Sequence, residues 1–274
     1  MLWSSCAGPV AGFAVNEQPA FMQTVHFSNE SENADSFRWY VNDSLASKNA
    51  DMETRFLSSG RHNIKLVAES EGKENSMSKD VFVSQAERCH FVIRTTLGDL
   101  VVALYEETPL HLKNFVELVE SGFYKDIDFH RIIQGFMVQA GETNNPRYLT
   151  RNEIPAEINK QLIHVKGALA AARMPDEMNP EKMSSATQFY IVQGRELNRD
   201  VILNYGSEKL IDYTDEQISS YLELGGTPQL DGEYTVFGYL VSGFDVLDKI
   251  AGVSTDANDR PIDKVQILEI KEIN

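Results

Sequence analysis

Residues 129–141 read Phe-His-Arg-Ile-Ile-Gln-Gly-Phe-Met-Val-Gln-Ala-Gly, and few folds can hold such a run. The side chains alternate, so residues two apart share one face of a strand, and Gly135 falls where a turn or bulge is needed. One or two strands about Gly135 are expected. They bring a cation, an amide and two large apolar side chains close together. Arg131 and Gln139 can reach toward a polar target while Phe136 and Met137 wall a small apolar pocket. A plain core hairpin would leave Arg131 unexplained, because arginine is seldom buried without a partner. His130 alternates to the face opposite Arg131 and reads as structural.

At 274 residues the chain can build two modest domains, at least one with a substantial core. A formal net charge of -16 argues against a nucleic-acid partner, whose phosphates would be repelled. The acidity runs through both halves and reads as a solvated surface. No stretch approaches the roughly 18 consecutive apolar residues of a membrane span. The cysteines are Cys6 and Cys89, so no disulfide framework exists. Leu2-Trp3-Ser4-Ser5-Cys6-Ala7 is similar to the end of a bacterial lipoprotein signal, in which small residues precede a lipidated cysteine. The apolar region expected before it is missing. Cys6 is thus either a lipidation site or incidental, and Cys89 reads as a buried free thiol.

The first half carries short strands over residues 24–28, 36–41, 60–68 and 77–83, separated by polar turns at 29–35 and 42–43. Several strands at about 8–12-residue spacing mean a small antiparallel sandwich. Phe27, Asn29, Ser31, Ala34-Asp35-Ser36-Phe37 and Trp39, followed by Phe56, Gly60, Ile64, Leu66 and Ala68, resemble the PKD-type immunoglobulin-like domain of surface proteins. The likeness covers roughly residues 10–85 and makes Trp39 the core anchor. The acidic, Gly-rich turn usual after that strand is replaced by Val41-Asn42-Asp43-Ser44. We place this domain at residues 7–86.

The second domain, residues 89–274, opens with a hairpin over 91–96 and 99–105. Thr108-Pro109 then starts a helix, with a hydroxyl cap and proline in the first turn. Leu112, Phe115, Val116, Leu118 and Val119 fall on one stripe of it. A late helix is expected at 246–250 and a closing strand at 265–270. Residues 195–228 form a polar, partly helical insertion, with a capped helix start at Thr214, too long for an ordinary barrel loop. It is either a lid or platform beside the site or an inert excursion, and we take the second.

Four segments in order resemble the cyclophilins, the peptidyl-prolyl cis-trans isomerases. They are residues 129–141, 167–173, 184–191 and 230–238, and the likeness spans nearly all of 90–272. It implies a mainly β fold, a closed antiparallel β-barrel capped by two helices, behind the N-terminal β-sandwich. It also implies catalysis of rotation about X-Pro bonds, whose barrier is about 18–20 kcal/mol, with no cofactor or metal. By the resemblance, Arg131 is the cation that stabilises the twisted imide. Phe136, Met137, Tyr190 and Leu230 line the proline pocket. Gln139 holds the substrate backbone, helped by main-chain groups near Ala172, and Gln188 braces Arg131 or the substrate.

Several residues depart from the family's pattern. Gln229 stands where most eukaryotic members carry a Trp, so weak cyclosporin binding is expected. Tyr234 replaces a pocket His, Tyr190 a pocket Phe, and Arg173 stands where Asn is common, adding a cation at the groove. No metal-ligand spacing or phosphate-binding loop is present. The expectation is an isomerase acting on Pro-containing segments of unfolded or partly folded exported proteins. It would be a monomer tethered to a membrane through Cys6, as a periplasmic or outer-membrane lipoprotein of a bacterium. The alternative is a catalytically weak cyclophilin-like scaffold or chaperone that binds Pro-containing segments.

Overall fold

The computed structural model describes residues 8–15, 19, 24–56, 60–83 and 90–273. Both cysteines, and with them the readings of Cys6 and Cys89, lie outside the described residues. The chain divides into two compact units, Met1–Glu87 and Arg88–Asn274.

The first unit holds β1 (Phe13–Val15), β2 (Thr24–Asn29), β3 (Ser36–Val41), β4 (Ser44–Ser47), β5 (Met52–Arg55), β6 (Gly60–Ser70) and β7 (Lys73–Val83). They form two antiparallel sheets, β1-β2-β5 and β4-β3-β6-β7. Trp39 joins the sheets: it is fully buried, edge-on to Phe13 with ring centroids 5.3 Å apart and tilted against Phe27 at 6.2 Å. Its indole N–H donates to the carbonyls of Asn49 and Ala50 at 3.2 and 3.1 Å, so the polar tip of a buried ring is satisfied. The departure noted at residues 41–44 is a tight hairpin. Asn42 and Asp43 take φ of 47° and 64°, the paired left-handed geometry such turns need and Asn and Asp tolerate.

The second unit contains β8 (His90–Thr95), β9 (Gly98–Leu104), β10 (Ile127–Ile133), β11 (Met137–Ala140), β12 (Ala168–Ala171), β13 (Phe189–Val192), β14 (Val236–Ser242) and β15 (Gln266–Ile273). They close into an antiparallel barrel in the order β10-β11-β13-β12-β14-β9-β8-β15. Ile132, Val138, Ile191, Leu169, Gly238 and Leu104 are successive cross-strand partners and are all buried. Because side chains alternate, their chain neighbours form a second row on the other face, Arg131, Gln139, Tyr190 and Ala170.

The helices are α1 (Pro109–Glu120), α2 (Pro146–Leu149), α3 (Arg199–Lys209), α4 (Asp215–Leu224) and α5 (Phe244–Ala251). Two of them cap the barrel. Phe115 of α1 lies 5.5–5.9 Å from the rings of Phe91, Phe237 and Phe189, and α5 buries Val246, Leu247 and Ile250.

The expected hydroxyl cap of α1 is not made. Thr108 Oγ1 turns back to the Tyr105 carbonyl at 3.3 Å. The free N–H groups of Leu110 and His111 go instead to the two carboxylate oxygens of Glu157, each at 3.0 Å. An anion supplied from elsewhere in the chain meets the positive end of the helix better than a neutral hydroxyl can.

The insertion is folded and packed on the barrel unit. Ile202, Ile211, Tyr213, Ile218 and Tyr221 form their own buried cluster against Ile163, Val165 and Leu197. The start of α4 carries a complete capping box between Thr214 and Gln217. Gln217 also donates to the carbonyls of Lys160 and Gln161, tying the helix to the segment leading into β12.

Candidate active site

On the outer face of the barrel, Arg131, Phe136, Met137, Gln139, Ala172, Arg173, Tyr190, Leu230 and Tyr234 line one pocket of about 210 Å³. Strand pairing places its polar row: Arg131 faces Gln139 across β10 and β11, and Gln139 faces Tyr190 across β11 and β13. Neighbouring strands lie about 4.8 Å apart, so three residues distant in sequence span roughly 10 Å of one surface. Met137, Tyr190, Ala170 and Val236 form a buried base, with Phe136, Leu230 and Tyr234 packed partly buried around it. Phe136 is presented by the turn between β10 and β11, where Gly135 takes φ of 75°.

Two anchors of this arrangement were missed by reading the sequence. Gln193 accepts a hydrogen bond from the Gly135 N–H at 2.5 Å, while the N–H groups of Gln193 and Gly194 donate to the Phe136 carbonyl. Gln193 thereby fixes the turn. Asp259 Oδ2 lies 3.4 Å from Arg131 Nε, with both side chains about two-fifths exposed. Asp259 sits at φ of 61° in a loop held by Asp256, whose carboxylate accepts from the Asn258 and Arg260 N–H groups. These hydrogen bonds hold the Asp256 carboxyl below the usual range. The Asp259 carbonyl also accepts from the Ile132 N–H at 2.8 Å, which presses the loop onto β10. The turn-forming run Asp256-Ala257-Asn258-Asp259 was the available signal for the loop; nothing local pairs Asp259 with a residue 128 positions away.

Gln188 does not brace Arg131. Its side chain accepts from Gln139 Nε2 at 2.9 Å, which leaves the Gln139 carbonyl oxygen open toward the groove. Ala172 lines the pocket, but its N–H is committed to the Gln188 carbonyl and its C=O accepts from Ser185 N. The main-chain help expected there is therefore not on offer from its N–H.

Arg173 is not a free cation at the groove. Its side chain is 5% exposed, donates to the carbonyls of Glu233 and Met174 and to Asp176, and lies 4.5 Å over the Tyr234 ring. Glu233 also takes Lys182 and Lys209. The hydrogen bond from Lys182 leads in holding its carboxyl below the usual range. The positive charge around Arg173 is thus spent on structure, and Tyr234 is a ring clamped by a guanidinium. Of Arg131 and Arg173, the cations lining the pocket, Arg131 keeps the more open side chain, 43% exposed against 5%.

His130 is not part of this pocket. It lines a separate hollow of about 310 Å³ with Asp128, Glu142 and Arg260. Burial is the leading cause that lowers its pKa. Among the described residues, no group of His, Cys, Asp and Glu side chains could hold a metal ion.

A planar cation, an amide oxygen and an apolar box can together hold a five-membered ring and polarise the amide beside it. A family model described as cyclophilin type peptidyl-prolyl cis-trans isomerase/CLD matches residues 90–272. The chain belongs to that family. A Staphylococcus saprophyticus protein bearing the name peptidyl-prolyl cis-trans isomerase is 30% identical over 190 residues, 65% of this chain and 91% of that protein. A Streptococcus pyogenes protein named as a bifunctional phosphatase/peptidyl-prolyl cis-trans isomerase is 34% identical over 66% of this chain, which spans 38% of its length. A crystal structure of a Cryptosporidium parvum cyclophilin type peptidyl-prolyl cis-trans isomerase superimposes with a TM-score of 0.52 at 26% identity, covering 68% of this chain and 98% of that one. A second structure of it, in the presence of the dipeptide Ala-Pro, gives 0.51. This cyclophilin is thus a peptidyl-prolyl cis-trans isomerase in its barrel unit.

Proposed function

We propose that Arg131 is the catalytic group of this cyclophilin and that the pocket beneath it takes the proline ring of the substrate. The observation that carries the reading is the open guanidinium of Arg131, beside a base of Met137 and Tyr190. Rotation about X-Pro passes through a twisted state in which the imide nitrogen regains its lone pair. A positioned guanidinium donates to that nitrogen, or to the adjoining carbonyl, more strongly there than in either planar state. Gln139 holds the substrate backbone through its free carbonyl oxygen, and Phe136, Leu230 and Tyr234 shut water from the ring.

The clients we propose are X-Pro segments of unfolded or partly folded exported proteins, met by a chain anchored through lipid on Cys6. The Leu2 to Ala7 pattern supports the anchor, and intact-mass analysis of Cys6 in the native host tests it. The sandwich unit would serve as a spacer or partner-binding module.

The catalytic reading is tested by NMR exchange of an Ala-Pro peptide with the wild type and Arg131→Ala. The variant should lose about 10²–10³-fold in rate while remaining folded. A variant that keeps the wild-type rate removes Arg131 from catalysis. Binding without acceleration by the wild type, across a panel of residues before proline, would favour the scaffold.

A further inference from the structure

Asp231 is 1% exposed, and each of its carboxylate oxygens accepts two hydrogen bonds. Oδ1 takes the His164 N–H at 2.8 Å and the ring Nδ1 at 2.7 Å. Oδ2 takes the hydroxyls of Tyr213 and Tyr221 at 2.6 and 2.5 Å. Both tyrosines come from the insertion, Tyr213 just before α4 and Tyr221 within it. The approach is close: at Gly226, φ 152°, a Cβ would stand 2.7 Å from the Tyr221 ring and 2.4 Å from the His164 carbonyl oxygen. Only glycine lets these segments meet.

The chain of bonds continues to the pocket. A carboxylate can only accept, so His164 Nδ1 donates to it, and the Nε2 of a neutral imidazole must accept. The Tyr190 hydroxyl lies 3.1 Å from Nε2 and donates to it, with the two rings nearly parallel at 13°. Burial, then Tyr234 and Asp231 nearby, push the Tyr190 phenol far above its ordinary value, so it stays a donor. Its hydroxyl is held on His164 while its ring forms part of the pocket.

We propose that Tyr213 and Tyr221 are positioning residues of the isomerase, acting through Asp231 and His164 to hold the Tyr190 hydroxyl out of the proline pocket. This rests on reading that pocket as the proline site. Without the two phenols, a buried carboxylate oxygen loses both its donors and His164 follows the rearranged Asp231. Tyr190 then loses its acceptor, and its hydroxyl turns into the pocket as an unpaired polar group where an apolar ring must bind. The cost falls on binding in both planar and twisted states, hence on KM more than kcat.

The test uses the full chain with a series of X-Pro peptide concentrations. Tyr213→Phe with Tyr221→Phe should raise KM about tenfold and change kcat less than about twofold, the size of a lost buried hydrogen bond. The same pair of changes in a Tyr190→Phe background, which has no hydroxyl to hold, should raise KM less than about twofold relative to Tyr190→Phe alone. An equal rise in both backgrounds, or no rise in either, overturns the proposal. If the double change fails to fold, Tyr213→Phe alone, which leaves one donor on Oδ2, should raise KM about threefold; no rise overturns the proposal equally. Arg131→Ala, assayed alongside, reports separately on whether this pocket is the working site.

Discussion

Arg131 Nε lies 3.4 Å from Asp259 Oδ2 beside the pocket that Arg131 lines, and each side chain keeps about two-fifths of its surface in water. An ion pair this exposed contributes at most about 1 kcal/mol to stability, so its value is orientation. Asp259→Ala should leave the urea midpoint nearly unchanged and lower kcat/KM about three- to tenfold, by letting the guanidinium swing. Combined with Arg131→Ala it should add nothing further. A full additional loss would show that Asp259 acts on substrate by another route.

Gln139 offers its carbonyl oxygen to the groove because its amide nitrogen is held on Gln188 at 2.9 Å. Gln188→Leu removes that hold and lets the amide flip. We expect KM for an X-Pro peptide to rise about two- to fivefold with kcat little changed, the effect of a hydrogen bond of ordinary strength. Steady-state kinetics on Gln188→Leu and Gln139→Leu decide it, since the two should match in direction with Gln139→Leu the larger.

Glu157 links α1 to the segment before β12 through three hydrogen bonds: two from the helix N–H groups and one with His111 Nδ1 at 2.7 Å. Burial pushes its carboxyl up, but the bonds from His111 and from the Leu110 and His111 main chain outweigh it and leave the pKa lowered. A carboxyl lowered in the folded state contributes all its stability above the unfolded pKa of about 4.3 and loses it as pH falls through the folded value. Glu157→Ala should cost about 2–4 kcal/mol near neutral pH and should flatten the acid limb below about pH 4.3. Urea titrations between pH 3 and 7 measure both.

Trp39 holds the two sheets of the first unit together, in contact with Phe13 and Phe27. Trp39→Ala should destabilise that unit by about 3–5 kcal/mol. Hydrogen exchange would register faster exchange across β3 and β6, where Trp39 pairs with Leu66. Unchanged protection there would show that the sandwich does not depend on this ring.

Local pattern carries far in this chain. Alternation over residues 129–141 gave the hairpin of β10 and β11 and put Arg131 and Gln139 on one face, because side-chain direction in a strand is set by parity alone. The start of α4 at Thr214 was equally legible, since a capping box closes within four residues. The same logic failed at Thr108. Its hydroxyl was a sound candidate cap, but Glu157, 46 positions beyond His111, arrives with a full charge and wins.

The sequence by itself determined the barrel's family and put Arg131 and Gln139 on one face, because motif residues in order carry the first and side-chain parity along a strand carries the second. The tertiary structure alone decided which polar groups are spent. Arg173, a cation by sequence, is consumed by Glu233, Asp176 and Tyr234. Asp231, unremarkable in sequence, gathers donors from His164, Tyr213 and Tyr221. A buried charge must find its partners wherever the fold brings donors together, and their distance along the chain puts no constraint on that choice.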